Sequence, residues 1–276
     1  MAMRRLLVLL ALTGQACVPL SAVSAQPGRM DDLLALDCRL DADTGVSACT
    51  ATNGLDGAAA LTAVVVRAPA AGFYANVVPI DRVAPVEQLF EETCAQSPAS
   101  IIGGYFGERA DRTPYALGLI VSDGDQASPW APWTVGGAIV VGASNDTAIR
   151  YWHEMDGLAP VEALQSKPIL VDGNANDGIG AGWERANRVA FGLTDGGDLV
   201  LVGIFTATGG GRFLAPTLKE FADYIVAIRF EDGAVVERAV NLDGGPSANL
   251  FDRAGAGLYG STTDRYVPAI LCLGER

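Results

Sequence analysis

Basic residues are scarce in this chain of 276: 19 Lys and Arg face 32 Asp and Glu, and two of the 19 are Arg4 and Arg5 at the N-terminus. So acidic a chain repels polyanions, which argues against nucleic acid or anionic membrane as a partner. An anionic ligand would need a local cluster of positive charge and backbone N–H donors, for which Arg185, Arg188 and Arg212 are candidates. Histidine is scarcer still, with His153 the only one. A lone histidine and no Gly-x-Ser-x-Gly elbow leave a Ser-His-Asp hydrolase without support. No two cysteines stand at two-residue spacing and His153 has no partner histidine, so no metal is expected. No Gly-x-Gly-x-x-Gly loop set between a strand and a helix and no internal repeat supports a nucleotide fold, and no cofactor is expected.

Long apolar runs are missing too. Leu6 to Leu12, after Arg4 and Arg5, is too short to span a membrane, and with Val23-Ser24-Ala25 behind it the order is that of a secretory signal peptide. Cleavage is expected after Ala25, giving a periplasmic or secreted protein. Gly14-Gln15-Ala16 makes a poor lipobox before Cys17, so lipidation is the lesser alternative. Four cysteines then remain, an even number that suits disulfides in an exported chain. Four allow three connectivities; the proximity of Cys38 and Cys49 favours that small loop, with Cys94–Cys272 as the second pair.

Residues 26–60 show little periodicity and read as an exported prefix to a single domain over 61–276. Leu61–Val66 and Tyr74–Ile80, separated by a Pro-Gly turn, read as strands of a hairpin or meander. A helix is predicted over Pro85–Gln96, with Val86, Leu89, Phe90 and Cys94 on one face. Strands follow at Leu117–Val121, Ala138–Val141, Leu164–Val171 and from Arg188, then at Leu199–Phe205 after the hairpin turn Asp195-Gly-Gly-Asp198. Trp130 and Trp133 lie in a Pro-containing loop and are expected to pack it. Thr217-Leu-Lys-Glu220 has the form of a capping box opening an amphipathic helix. The expectation is an α/β fold of α+β character: a mixed, mostly antiparallel, many-stranded sheet with packed helices.

The most site-like stretch is Asn241-Leu-Asp243-Gly244-Gly245-Pro-Ser247, where an apolar strand ends in an amide, a carboxylate, two glycines and a hydroxyl. From its pattern alone a hairpin turn is the commoner meaning. The stretch resembles, however, the Asn-Leu-Asp-Gly-Gly-Gly-Ser signature of the phosphodiester glycosidase family. Other blocks are similar in the same order: Ser100-Ile-Ile-Gly103-Gly104-Tyr-Phe106, Gln165-Ser166-Lys-Pro-Ile-Leu170, and Arg188-Val-Ala-Phe-Gly192. Membership implies hydrolysis of a sugar 1-phosphodiester to sugar and phosphomonoester. It would give Asp243 the role of acid, base or nucleophile. Arg188 and the N–H groups of Gly103-Gly104 or Gly244-Gly245 would hold phosphate, and Asn241, Gln165, Ser166 and Ser247 would bind the sugar side. Two departures stand out: Ile102 where the family carries Asn, and Ala207 to Arg212, which lacks the usual acidic turn residue. These motivate an alternative, a noncatalytic saccharide-binding protein on the same scaffold.

Overall fold

The computed structural model describes residues 30–55, 58–180, 182–207, 214–253, 255, 257–260 and 264–276. The expected leader with its cleavage after Ala25, Cys17 and Arg212 lie outside them. Ala63-Val-Val-Val66 is apolar at every position, which for a strand means burial on both faces. Val64 and Val66 join one core cluster, Ala63 and Val65 another. Their strand, Ala58–Ala68, sits third in an eight-stranded sheet, between Ser47–Leu55 and Leu199–Thr206. Beyond these the order continues with Arg188–Thr194, Val236–Asn241, Ile169–Asp172 and Ala175–Asn176, while Asp37–Leu40 forms the opposite edge.

Two five-stranded sheets complete the core. One is centred on Glu162–Ser166, beside Gly137–Val141 and Ile120–Ser122; the other on Ala99–Gly103, between Asn249–Asp252 and Ala269–Glu275. All three sheets contribute to the main cluster, through residues such as Phe191, Leu164 and Ile101. The other face of the large sheet is covered by helix α2, Leu218–Ala227, whose Phe221, Ala222 and Ile225 are fully buried. Its capping box forms: Glu220 N–H donates to Thr217 Oγ1 at 3.2 Å and Thr217 N–H to Glu220 Oε2 at 2.8 Å. Helix α1, Val86–Thr93, buries Val86, Leu89 and Phe90 as its spacing predicts.

The α/β expectation is overturned. Every strand pairing described is antiparallel, and the described residues hold only these two short α-helices against three principal sheets, so the fold is mostly β. The helical patterns are real, but each supplies one short cover to a face and neither links parallel strands. The expected hairpin of Leu61–Val66 with Tyr74–Ile80 does not form either. Both edges of Ala58–Ala68 are taken by other strands, and the turn at Pro69–Gly72 carries the chain to Phe73–Pro79 in another sheet. One of the two occupying strands, Ser47–Leu55, comes from the stretch read as non-periodic. Leu164–Val171 is likewise two strands: Glu162–Ser166 and Ile169–Asp172 lie in different sheets, broken at Lys167-Pro168 where proline has no N–H to donate.

Both disulfides form as expected. Cys38–Cys49 joins directly opposed residues of adjacent strands, and Cys94–Cys272 ties the end of α1 to Ala269–Glu275. That strand pairs with Ala99–Gly103, which leads into Gly103-Gly104.

Candidate active site

Antiparallel order places three strand ends together. Arg188 begins its strand, Asn241 ends the next, and Lys167-Pro168 immediately precedes the third, Ile169–Asp172. Backbone bonds fix the junction: Asn241 N–H donates to Pro168 O at 2.9 Å and Leu242 N–H to Val189 O at 2.9 Å. Over these ends lies a cavity of about 530 Å³, into which Asp243, Asn241, Arg188, Tyr105, Lys167 and Glu184 all project some surface.

Asn241 is 3 % exposed, and its amide nitrogen is surrounded by oxygen. Nδ2 donates to Tyr105 Oη at 2.7 Å, to Leu242 O at 2.7 Å and to Lys167 O at 3.2 Å. Two of those acceptors are carbonyls, so the amide cannot be turned round without setting oxygen against oxygen. Tyr105 Oη in turn donates to Lys167 O at 2.6 Å. Burial, then the charge of Asp243, push the Tyr105 phenol well above its ordinary range, with Asn241 and Arg188 partly offsetting them. It stays protonated and acts here as a fixed donor.

Arg188 is partly buried, and that burial lowers its pKa, though not enough to discharge a guanidinium. Its Nη2 donates to the backbone carbonyl of Glu184 at 3.0 Å. Nε is buried and has no hydrogen-bond partner among the described residues, as is true of Asn241 Oδ1. Gly244 makes this packing feasible, because a Cβ there would stand 3.0 Å from Asn187 O and 3.6 Å from Arg188 Nη1. Gly245 has φ of 63°, and its N–H is already committed to Asn187 O at 2.8 Å, so that group is not available to a phosphate.

The remaining sequence candidates lie behind the cavity. Gly103 packs so closely that an added Cβ would collide with Leu164, and Gly104, with φ of 75°, turns the chain toward Tyr105 against Pro268. Gln165 is 1 % exposed. Its Oε1 accepts from Leu119 N and Ala131 N, both at 2.9 Å, and Nε2 donates to Ala131 O at 2.8 Å, so it pins the loop that carries Trp133. Trp133 packs edge-on against Tyr105 and lies 4.4 Å from Lys167 Nζ at its ring centroid. Ser166 Oγ donates to Asn241 O at 2.5 Å, and Ser247 is buried in a 3-10 turn. Gly103, Gly104, Gln165, Ser166 and Ser247 therefore brace the site. Ile102 is 1 % exposed and pairs with Ile270, which puts that departure in the core. Arg185 is held by Glu220 in a two-pronged pair at 2.8 and 2.9 Å, outside the cavity lining.

Sequence reasoning passed over three lining side chains. Tyr105 and Lys167 stand inside the quoted Gly-Gly-Tyr-Phe and Gln-Ser-Lys-Pro blocks, one residue beyond those chosen. Glu184 carries no motif.

Residues 96–273 match the phosphodiester glycosidase family. No curated protein matches the chain in sequence. Among solved structures, the zebrafish N-acetylglucosamine-1-phosphodiester alpha-N-acetylglucosaminidase catalytic domain, auto-inhibited by its pro-peptide, is similar with a TM-score of 0.61. It is 16% identical, and the likeness covers 87% of this chain and 88% of that one. A hypothetical protein from Synechocystis follows with a TM-score of 0.57 at 15% identity, over 84% of this chain and 62% of its own. A Burkholderia pseudomallei protein has a TM-score of 0.52 at 15% identity, over 77% and 74%. At these identities the structural likeness speaks for the fold.

Proposed function

Because this chain belongs to the phosphodiester glycosidase family, we propose that it is an exported hydrolase that cleaves the bond between the anomeric carbon of a sugar and the oxygen of a phosphodiester. The observation that carries the reading is the convergence of Asp243, Asn241 and Arg188 on one cavity with a second carboxylate, Glu184. Glycoside hydrolysis uses a pair of carboxyl groups.

In the proposed reaction water adds its oxygen to the anomeric carbon, the bond from that carbon to the phosphate oxygen breaks, and the bond pair leaves with the phosphomonoester. Arg188 binds the phosphate, matching a planar fork to two oxygens, with Lys167 adding charge. Asp243 is the acid, base or nucleophile at the anomeric centre. Asn241 borders the sugar, held in one orientation by the carbonyls of Lys167 and Leu242. The described residues include no helix long and apolar enough to cross a membrane, and the two disulfides suit an oxidising compartment.

Hydrolysis in ¹⁸O-labelled water tests the bond cleaved. Label is expected in the released sugar; label in the phosphomonoester would mean attack at phosphorus and would overturn the assignment.

A further inference from the structure

Of the 19 basic residues only Lys167 and Lys219 are lysines. Lys219 lies on helix α2, paired with Asp223. Lys167 stands at the junction of the strand ends and contributes to the cavity wall. Its backbone is fixed there, because its carbonyl accepts from Tyr105 Oη at 2.6 Å and from Asn241 Nδ2 at 3.2 Å. A four-carbon stem is flexible, so the backbone alone does not place the charge. The indole of Trp133 does: Lys167 Nζ lies 4.4 Å from its ring centroid, within the range over which a ring face attracts an ammonium.

That ring is itself held. It meets Tyr105 edge-on at 5.9 Å between centroids, and its Cη2 packs where a Cβ on Gly118 would stand 3.2 Å away. Its loop is tied at both ends. Gln165 bonds the N–H of Ala131 at 2.9 Å and the C=O at 2.8 Å, and Trp133 N–H donates to that same carbonyl at 2.7 Å. Three residues further on, Gly136 passes so close that an added Cβ would stand 2.4 Å from Ser166 O. Trp133 stands behind the cavity wall, not in it, so it reaches a ligand only through what it holds.

We infer that Trp133 is a positioning residue, whose indole holds the Lys167 ammonium as the second cation of the phosphate site that Arg188 also lines. The inference rests on the proposed function, which puts phosphate in this cavity. A ring holds an ammonium without neutralising it, whereas a carboxylate in its place would cancel the charge that an anionic ligand needs.

The test is a double-mutant cycle read by calorimetry. Non-cleavable ethyl methylenephosphonate analogues of a panel of sugar 1-phosphodiesters are the probes, and the tightest is carried through wild type, Trp133→Leu, Lys167→Met and the double variant. Each single substitution should weaken binding about five-fold. The double variant should bind no worse than Lys167→Met, because the ring then has no ammonium to hold. Trp133→Phe, which keeps a ring face, should recover most of the loss. With only two lysines in the chain, labelling lysine Cε with ¹³C gives two NMR signals, and the one lost in Lys167→Met should be shifted upfield by the indole ring current. An unshifted Lys167 signal in wild type overturns the placement whether or not Trp133→Leu folds. If Trp133→Leu weakens binding equally with and without the Lys167 ammonium, or not at all, while sugar is released from the matching phosphodiesters, the positioning role falls and the hydrolase reading stands. Coupled loss with no sugar released keeps the role and removes the hydrolase reading. Failure of every analogue to bind overturns both.

Discussion

At the residue scale the proposed chemistry turns on Asp243 and Arg188. Asp243→Asn keeps the shape and much of the hydrogen bonding while removing the charge. For a general acid–base group, turnover on sugar 1-phosphodiesters should fall by roughly 10²–10⁴-fold with ligand affinity and melting temperature preserved. Wild-type turnover in that variant would remove the carboxylate from the reaction. Arg188→Lys retains the charge but loses the fork, so binding of phosphodiesters should weaken more than binding of free sugar, as titration calorimetry would read. Both residues stand in polar punctuation at strand ends, but the pattern alone favoured a turn, and it was the resemblance to the family's blocks that singled them out. Gln165 and Ser247 carry the same punctuation, yet the structure uses them to brace backbone and fill a turn. Residue type alone does not tell a ligand contact from a satisfied buried amide. Tyr105 was hidden for the opposite reason: an aromatic after a strand reads as core, and only the three-dimensional meeting with Asn241 reveals its hydroxyl.

At the scale of the element, patterns confined to one segment were readable. The α2 capping box, the hairpin at Asp195–Asp198 and both disulfides need only local spacing or cysteine counting. Which strand lies beside which does not follow from local pattern. Ala58–Ala68 could have paired with the strand that follows it, but Ser47–Leu55 and Leu199–Thr206 occupy its edges. Lys167-Pro168 likewise looked like an interruption of one strand and is the passage between two sheets. The disulfide at the end of α1 secures the strand beside the Gly103-Gly104 segment. Cys272→Ala should cost about 2–5 kcal/mol by chemical denaturation, with free-thiol labelling of the unreduced wild type finding neither Cys94 nor Cys272 reactive. Gly103→Ala tests the packing behind the cavity. Its collision with Leu164 should cost roughly 1–3 kcal/mol, and a stability equal to wild type would show that the contact relaxes freely.

At the scale of the whole molecule, titration couples the sheets. Glu162, 2 % exposed, accepts from Val77 N and Asp123 N, both at 3.2 Å, and so bridges two sheets. Burial raises its pKa above the ordinary 4.5, so the folded state holds that proton more tightly than the unfolded chain. The stability linked to it is present at low pH and is lost as pH rises through the folded value. Asp232 runs the other way: hydrogen bonding to Arg67 lowers it from 3.8 to about 2, so its contribution is present above 3.8 and lost as pH falls toward 2. Glu220 and Asp223 are lowered as well. Melting temperature should therefore fall as pH drops from 3.8 toward 2, where Asp232 gains its proton, and should also lose the Glu162 contribution as pH rises above 4.5; a steady rise from pH 4 to pH 8 would contradict this.

The central claim concerns what the assembled cavity does, and release of free sugar measures it most directly. The purified chain, without the expected leader, is offered a panel of sugar 1-phosphodiesters alongside Asp243→Asn. Wild type is expected to liberate sugar and phosphomonoester in equal amounts from at least one member, with the variant slower by two orders of magnitude or more. Binding of the same compounds with no sugar released from any of them would contradict the claim and identify the cavity as a site of recognition alone.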